Sequence, residues 1–101
     1  MIILGKYDEF GPGMGFPSMK TDFAPSAYEG QKQIADYLRN GHVHMVTASQ
    51  AYDVFTGEKI GIERYFMDDG VFSWSSSLPY YVERYNLRLP AEFERHVLNI
   101  T

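Results

Sequence analysis

The sequence predicts an α+β fold, in which an antiparallel β-meander of three or four strands packs against one N-terminal helix and two short C-terminal helices. Three observations predict it. A helix signal spans 26–40, strand-like runs joined by short turns fill 42–74, and two short helical patterns follow in 77–99. The 101 residues, of which 45% are hydrophobic and 22% charged, have the size and composition of a single domain, 1–101.

Residues 1–25 predict an ordered loop that is rich in glycine and proline and follows a short N-terminal strand. Residues 1–4 are apolar and can form the strand. Glycine and proline then recur too often for a regular element. Apolar side chains also recur through the loop, and a disordered segment carries fewer of them. We expect these side chains to pack over one end of the core: Phe10, Met14, Phe16, Met19 and Phe23.

A capping box predicts the start of the helix at 26–40. The hydroxyl of Ser26 can accept from the backbone N–H of Glu29, and the Glu29 carboxylate can reach back to the N–H of Ser26. Ile34 and Leu38 lie four residues apart and predict an apolar face. Gly41 is expected to end the helix in the left-handed conformation.

The meander is predicted from β-branched and aromatic runs separated by turn residues. Asp68, Asp69 and Gly70 carry the Asp-Gly hairpin signal. The runs are His42–Ala48 with a bend or bulge at Ser49–Gln50, an extended continuation Ala51–Phe55, then Ile60–Met67 after a turn at Thr56–Lys59, and finally Val71–Trp74. Such sequential runs form an antiparallel meander, although their order in the sheet is not fixed by the pattern.

Two short helices are predicted after the meander. Ser75–Ser77 can cap the first, which has Pro79 in its first turn and Asn86 as its stop. One face of this helix carries Leu78, Tyr81, Val82 and Tyr85. The second helix starts at Leu89–Pro90, and its inward face is Phe93 and Val97.

Composition excludes several classes of protein. The absence of cysteine rules out disulfides and thiolate metal sites and favours a reducing compartment, so we expect a cytoplasmic protein. The N-terminus lacks the features of a signal peptide, and no stretch approaches the ~20 apolar residues of a membrane span. A net charge of −4 argues against nucleic-acid binding, which depends on neutralising phosphates, and fits a basic partner.

Few residues suggest catalysis or metal binding. His42 and His44 lie two apart on a strand and can face the same side, but a metal site needs a third ligand. The loop Gly11–Gly15 lacks the Lys-Ser/Thr pair of a phosphate-binding loop. Turn chemistry alone explains Asp68 and Asp69. No nucleophile motif is present, so we expect neither an enzyme nor a cofactor.

The run from Asp69 to Phe93 and the segment Asp53–Glu58 carry a resemblance, together with the Gly-rich loop and the capped helix. In these parts the chain resembles a group of short, uncharacterised bacterial proteins of about this length. Proteins of this size and style resemble toxin-immunity proteins, which implies an inhibitor that binds a neighbouring toxin. The group brings no catalytic residues.

We therefore expect a small protein-binding module, most concretely an immunity-type inhibitor that blocks a basic toxin, such as a nuclease, through an acidic and aromatic surface. The residues expected to bind are Glu58, Glu63, Asp68 and Asp69 for electrostatics, with Tyr65 and Tyr80 as anchors. One alternative is a small-molecule or metal-binding domain that uses His42, His44 and the Gly-rich loop. Another is an accessory subunit or homodimer with an aromatic interface. Whether the cluster of Trp74, Tyr80, Tyr81 and Tyr85 is core or interface stays open.

Overall fold

The computed structural model describes residues 2–98, with the backbone alone at 47, 48 and 61–63. Two 3-10 turns, Asp8–Phe10 and Met19–Asp22, lie in the N-terminal loop. The strands are β1 (Ile2–Ile3), β2 (His42–Tyr52), β3 (Lys59–Asp68) and β4 (Phe72–Ser75), and the helices are α1 (Gln31–Arg39), α2 (Leu78–Arg84) and α3 (Ala91–Leu98). The α+β fold class is confirmed.

The four strands form one sheet in the order β1-β4-β3-β2. Strands β2, β3 and β4 are the predicted antiparallel meander. Strand β1 adds at the far edge and runs parallel to β4, with Ile2 opposite Phe72 and Ile3 opposite Ser73. The sheet is therefore mixed, which the meander prediction did not include.

The helices cover one face of this sheet. In β4 the side chains alternate between buried and partly exposed, so only one face of this strand is covered. Phe72 and Trp74 are 2% and 1% exposed, and they pack with α3 through Phe93, whose ring lies 4.9 Å and 6.0 Å from theirs. Leu38 of α1 and Tyr81 of α2 complete the same cluster. The core thus lies between the helices and one face of the sheet.

The predicted capping box is wrong. Helix α1 begins at Gln31, so Ser26 and Glu29 precede it, and its N-cap is Gly30 at φ 83°. The side chain of Gln31 accepts from the Tyr28 N–H at 3.1 Å and so orders the entry to the helix. Gly30 suits this left-handed position because it has no Cβ.

Gly41 is required for a different reason from the predicted one. The C-cap of α1 is Asn40, and Gly41 is not in the left-handed region. A Cβ on Gly41 would instead lie 2.5 Å from Cζ2 of Trp74. The indole N–H of Trp74 donates to the carbonyl of Leu38 at 3.0 Å, which holds the ring against this turn. Gly41 therefore makes room for the core tryptophan.

The ends of α2 follow the prediction in part. Ser77 occupies the N-cap position, but its hydroxyl makes no capping hydrogen bond. Asn86 follows the helix at φ 56°, a conformation that asparagine tolerates better than most residues, so the predicted stop is confirmed. Asn86 Oδ1 also accepts from Gln31 Nε2 at 2.9 Å, which joins the end of α2 to the start of α1.

The N-terminal loop packs over the core with only some of the predicted residues. Met19 is fully buried, and Phe23 packs against the core, stacked on Tyr85 at 5.2 Å. The prediction is wrong for Met14, which is 69% exposed. Phe10 contacts the Tyr81 ring at 5.4 Å yet is 38% exposed, so it lies at the margin of the core.

Strand β2 is longer and less regular than predicted. It runs unbroken from His42 to Tyr52, and its pairing with β3 shifts register at three places. The predicted irregularity at Ser49–Gln50 coincides with the shift between Val46 and Gln50. A turn then begins at Asp53, so the extended continuation predicted to Phe55 ends earlier.

Candidate functional site

The face of the sheet opposite the helices carries a groove. Strand β4 lies between β1 and β3 and turns its small residues, Ser73 and Ser75, to this face. Larger neighbours stand opposite them, because Ile3 pairs with Ser73 and Phe66 pairs with Ser75. Small residues on an inner strand and large ones on the flanking strands leave a depression along β4.

The groove has a volume of about 760 Å³. This is within the range of ~300–1,000 Å³ that is usual for binding clefts. Apolar side chains that line it include Ile3, Phe10, Met45, Tyr52 and Val54, and all five are among the large apolar residues that are more than a third exposed. The open face therefore joins a concave shape to exposed apolar surface, which together mark interaction sites.

Ionisable side chains line the groove. Glu9 lines it beside Phe10, and its carboxylate accepts from the Ser18 hydroxyl at 2.6 Å and the Met19 N–H at 2.7 Å. Burial raises the pKa of Glu9, but these hydrogen bonds outweigh it and lower the pKa overall, so the group is ionised at neutral pH. Arg64 and His44 line the groove as well.

Asp68 ends β3 and Asp69 begins the β3–β4 turn, and both side chains make the turn contacts that their chemistry predicted. Asp68 Oδ1 accepts from the Gly70 N–H at 3.0 Å, and Asp69 Oδ1 accepts from the N–H groups of Val71 and Phe72 at 2.9 and 2.7 Å. Asp68 Oδ2 lies 2.7 Å from Nδ1 of His44. The two side chains are only 15% and 9% exposed, so most of their surface already contacts the rest of the chain.

Asp69 also joins three elements. Its Oδ2 accepts from the Tyr37 hydroxyl of α1 at 2.5 Å and lies 2.9 Å from Nε2 of His96 in α3. Burial raises the pKa of Asp69, but the hydrogen bonds from Tyr37, the turn amides and His96 outweigh it and lower the pKa to about 2. Burial, reinforced by Asp69, raises the pKa of Tyr37 to about 12. This cluster stabilises the fold at neutral pH.

A second buried carboxylate, that of Asp53, was not predicted from the sequence. Asp53 is 1% exposed, and its Oδ1 accepts from the N–H groups of Phe55 and Thr56 at 2.7 and 3.1 Å. Its Oδ2 accepts from the hydroxyls of Tyr85 and Tyr80 at 2.6 and 2.7 Å. Burial raises the pKa of Asp53, but these hydrogen bonds outweigh it and lower the pKa. The carboxylate thus fixes the β2–β3 turn to α2.

The remaining residues predicted to bind a partner lie in different surroundings. Tyr80, predicted to anchor a partner, is half-buried, and its hydroxyl donates to Asp53. Tyr65 is half-buried and packs against the core. Glu58 is exposed in the turn between β2 and β3. The side chain of Glu63 lies outside the described residues. Of the aromatic cluster, Trp74 and Tyr81 belong to the core, whereas Tyr80 and Tyr85 are partly buried and pack against it.

The histidines and the Gly-rich loop are not brought together as a metal site. His44 is close to Asp68, and in the described part of the chain no group of three or more His, Asp or Glu side chains is placed to hold a metal ion. The Gly11–Gly15 loop does not line the groove, although Glu9 and Phe10 just before it do. No helix within residues 2–98 is long and apolar enough to cross a membrane.

Sequence reasoning missed the groove because its residues come from distant segments. Met45 and Tyr52 lie in β2, whereas Ile3 and Phe10 belong to the N-terminal segment. The available signal was the alternation of β4, where Ser73 and Ser75 alternate with Phe72 and Trp74 and indicate an uncovered face.

Comparisons with known proteins found no relative of this chain. No protein-family model matches the chain, and no curated protein or solved structure matches it. The resemblance to immunity proteins therefore stays a prediction.

Proposed function

We propose that the protein is a small protein-binding module that contacts its partner through the open face of the sheet. The proposal rests on the groove of about 760 Å³, which is lined by exposed apolar and aromatic side chains on the face of the sheet that α1, α2 and α3 leave uncovered. Aromatic residues and methionine are enriched at the centres of protein interfaces, and Phe10, Met45 and Tyr52 supply them here.

The partner we propose is a protein with a basic surface, and most concretely the toxin that the resemblance implies. The net charge of −4 supports this choice, as does the exposed Glu58 in the turn that follows Val54. Complementary charge raises the association rate and makes it sensitive to salt. Asp68 and Asp69 already make contacts inside the chain, so Glu58 is the better candidate for a contact with the partner. Partner binding by Asp68 and Asp69 stays a prediction.

In this proposal the chain acts by occupying its partner's surface, without catalysis, cofactor or nucleic acid. We place the interaction in the cytoplasm, because the absence of cysteine suits a reducing compartment.

Capture from an extract of the cells that make the protein tests the proposal. The immobilised chain is expected to retain one basic protein at low salt and to release it at high salt. Tyr52→Lys is expected to abolish retention, because the charge enters the apolar groove beside a basic partner. Val71→Lys, an exposed change outside the groove, is expected to retain it. The purified partner must then bind the purified chain with the same dependence on Tyr52.

Charge variants test whether Glu58 contributes to the binding. Glu58→Gln is expected to reduce the salt dependence of binding, whereas Glu92→Gln, at an exposed acid of α3, is expected to leave it unchanged. Equal retention by the Tyr52→Lys and wild-type chains would contradict the proposed surface. If no protein is retained at low salt, the protein-binding proposal fails.

A second candidate is a small-molecule site in the same groove. The volume of the groove favours this alternative, and so does the presence of His44, Glu9 and Phe10 in its lining. Native mass spectrometry of the chain purified from its own cells separates the two. A bound small molecule of constant mass, absent from Tyr52→Lys, would support this candidate over a protein partner.

A further inference from the structure

Tyr81 of α2 reaches the end of β2 from the side of the sheet that the helices cover. The residue is fully buried, and its hydroxyl uses both of its hydrogen-bonding roles there. It donates to the carbonyl of Tyr52 at 3.1 Å and accepts from the N–H of Val54 at 3.0 Å. One buried oxygen atom thus joins the main chain at the two positions on either side of Asp53.

The side chains at these two positions belong to the groove. Tyr52 and Val54 line it and are 50% and 41% exposed, whereas Asp53 between them is 1% exposed. The segment therefore turns its middle side chain towards α2 and its two outer side chains towards the groove. A contact that fixes the main chain at 52 and 54 also fixes where these outer side chains stand.

The ring of Tyr81 supports the groove as well. Phe10, which lines the groove, contacts this ring edge-on with the two centroids 5.4 Å apart. A phenylalanine at position 81 would fill the same space in the core, since it differs by the hydroxyl alone. A buried tyrosine hydroxyl needs hydrogen-bond partners, and the partners of this one are the main-chain groups of the groove-lining segment.

We propose that Tyr81 is a positioning residue of the groove, whose hydroxyl holds Tyr52 and Val54 in the arrangement that the partner binds. The inference rests on the proposed function, because it gives Tyr81, which does not line the groove, a part in binding. Burial raises the pKa of Tyr81 to about 12, so the hydroxyl keeps its proton at neutral pH and can donate to Tyr52. Side chains that are held in place before the partner arrives lose less entropy on binding.

Tyr81→Phe tests the proposal, because it removes the hydroxyl and keeps the ring. Amide hydrogen exchange at Val54 is expected to become about tenfold faster, since this N–H loses its acceptor. The N–H of Asp53 is the internal control. It donates to the carbonyl of Glu58 at 2.8 Å, a bond that the variant keeps, so its exchange should change much less.

Tyr28→Phe is the matched control variant. The Tyr28 hydroxyl donates to the carbonyl of Leu87 at 2.6 Å, and neither residue lines the groove. This variant therefore also loses a hydrogen bond of the fold, but away from the proposed binding surface. Circular dichroism checks that both variants are folded at the temperature of the binding measurements.

Binding of the basic protein that the wild-type chain captures separates positioning from stability. Tyr81→Phe is expected to bind this protein about tenfold more weakly, whereas Tyr28→Phe is expected to bind it like the wild type. Wild-type affinity of Tyr81→Phe, or unchanged exchange at Val54, would overturn the positioning role and leave the groove as the binding surface. Failure of the wild-type chain to capture any protein would overturn both proposals, so the wild-type measurement reports on the proposed function and the Tyr81→Phe measurement on positioning.

Discussion

The two faces of β4 differ in nearly every property although they belong to the same four residues. Phe72 and Trp74 face the helices and are almost completely buried, whereas Ser73 and Ser75 face the groove. On the covered face, aromatic rings, Gln31 and the buried Asp53 all have partners inside the chain. On the open face, apolar side chains of similar size remain exposed.

Fold stability and the proposed binding therefore depend on opposite faces of the sheet. Burial of apolar surface stabilises the chain where the helices meet the sheet. The side chains of the open face add little to that core, so they are available for contacts with another molecule. Substitutions on the two faces should therefore affect different measurements.

Truncation of the covered face should have the largest effect. Phe93→Ala removes a fully buried ring and is expected to lower the free energy of unfolding by about 3–5 kcal/mol. Met45→Ala, at a residue 54% exposed on the open face, is expected to change it by less than about 0.5 kcal/mol. Urea unfolding measures both. Comparable losses in the two variants would show that the faces are not separable in this way.

Overpacking the covered face should have the second-largest effect on stability. Gly41→Ala places a Cβ against Trp74 and is expected to destabilise the chain by about 2 kcal/mol, since the indole cannot move without losing its bond to Leu38. Gly11→Ala is the control, because its Cβ would meet Met14 at an ordinary 3.6 Å. Thermal unfolding of both variants checks the prediction, which an unchanged Tm for Gly41→Ala would refute.

Acid should weaken the covered face through Asp69. Its folded pKa of about 2 lies below the ordinary value of 3.8, so its contribution is complete above about pH 4 and is lost as the pH falls towards 2. The shift corresponds to roughly 2 kcal/mol. Asp69→Asn is therefore expected to be less stable than wild type at pH 7 by about that amount and to approach it near pH 2.

Urea unfolding at a series of pH values measures this convergence, with Asp8→Asn as an exposed control. A constant difference between Asp69→Asn and wild type from pH 7 to pH 2 would mean that ionisation of Asp69 does not stabilise the fold.

Local patterns predicted most of the fold, because they depend on neighbours in sequence. The alternation of β4 and the spacing of Ile34 and Leu38 each indicate a buried face. The start of α1 was wrong because a capping box at Ser26 is a local preference that the Gln31 side chain and Gly30 override. The parallel pairing of β1 joins residues about seventy positions apart, for which no local pattern exists.

The site was less predictable for the same reason. Asp68 and Asp69 were correctly assigned to the turn, since Asx turns are local. Their contacts with His44, His96 and Tyr37 depend on the tertiary fold, as do the burial of Tyr80 against Asp53 and the groove itself. Local sequence patterns could therefore suggest which acidic and aromatic residues are exposed, but not which residues they contact in the fold.

The most direct test of the separation between the two faces is a map of backbone amide shifts, recorded for ¹⁵N-labelled chain with and without the captured basic partner. We expect the signals of Ile3, Phe10, Met45, Tyr52 and Ser75 to shift or broaden, while those of α3 stay in place. Changes concentrated in α1 and α3, with the signals of the groove unaffected, would contradict it.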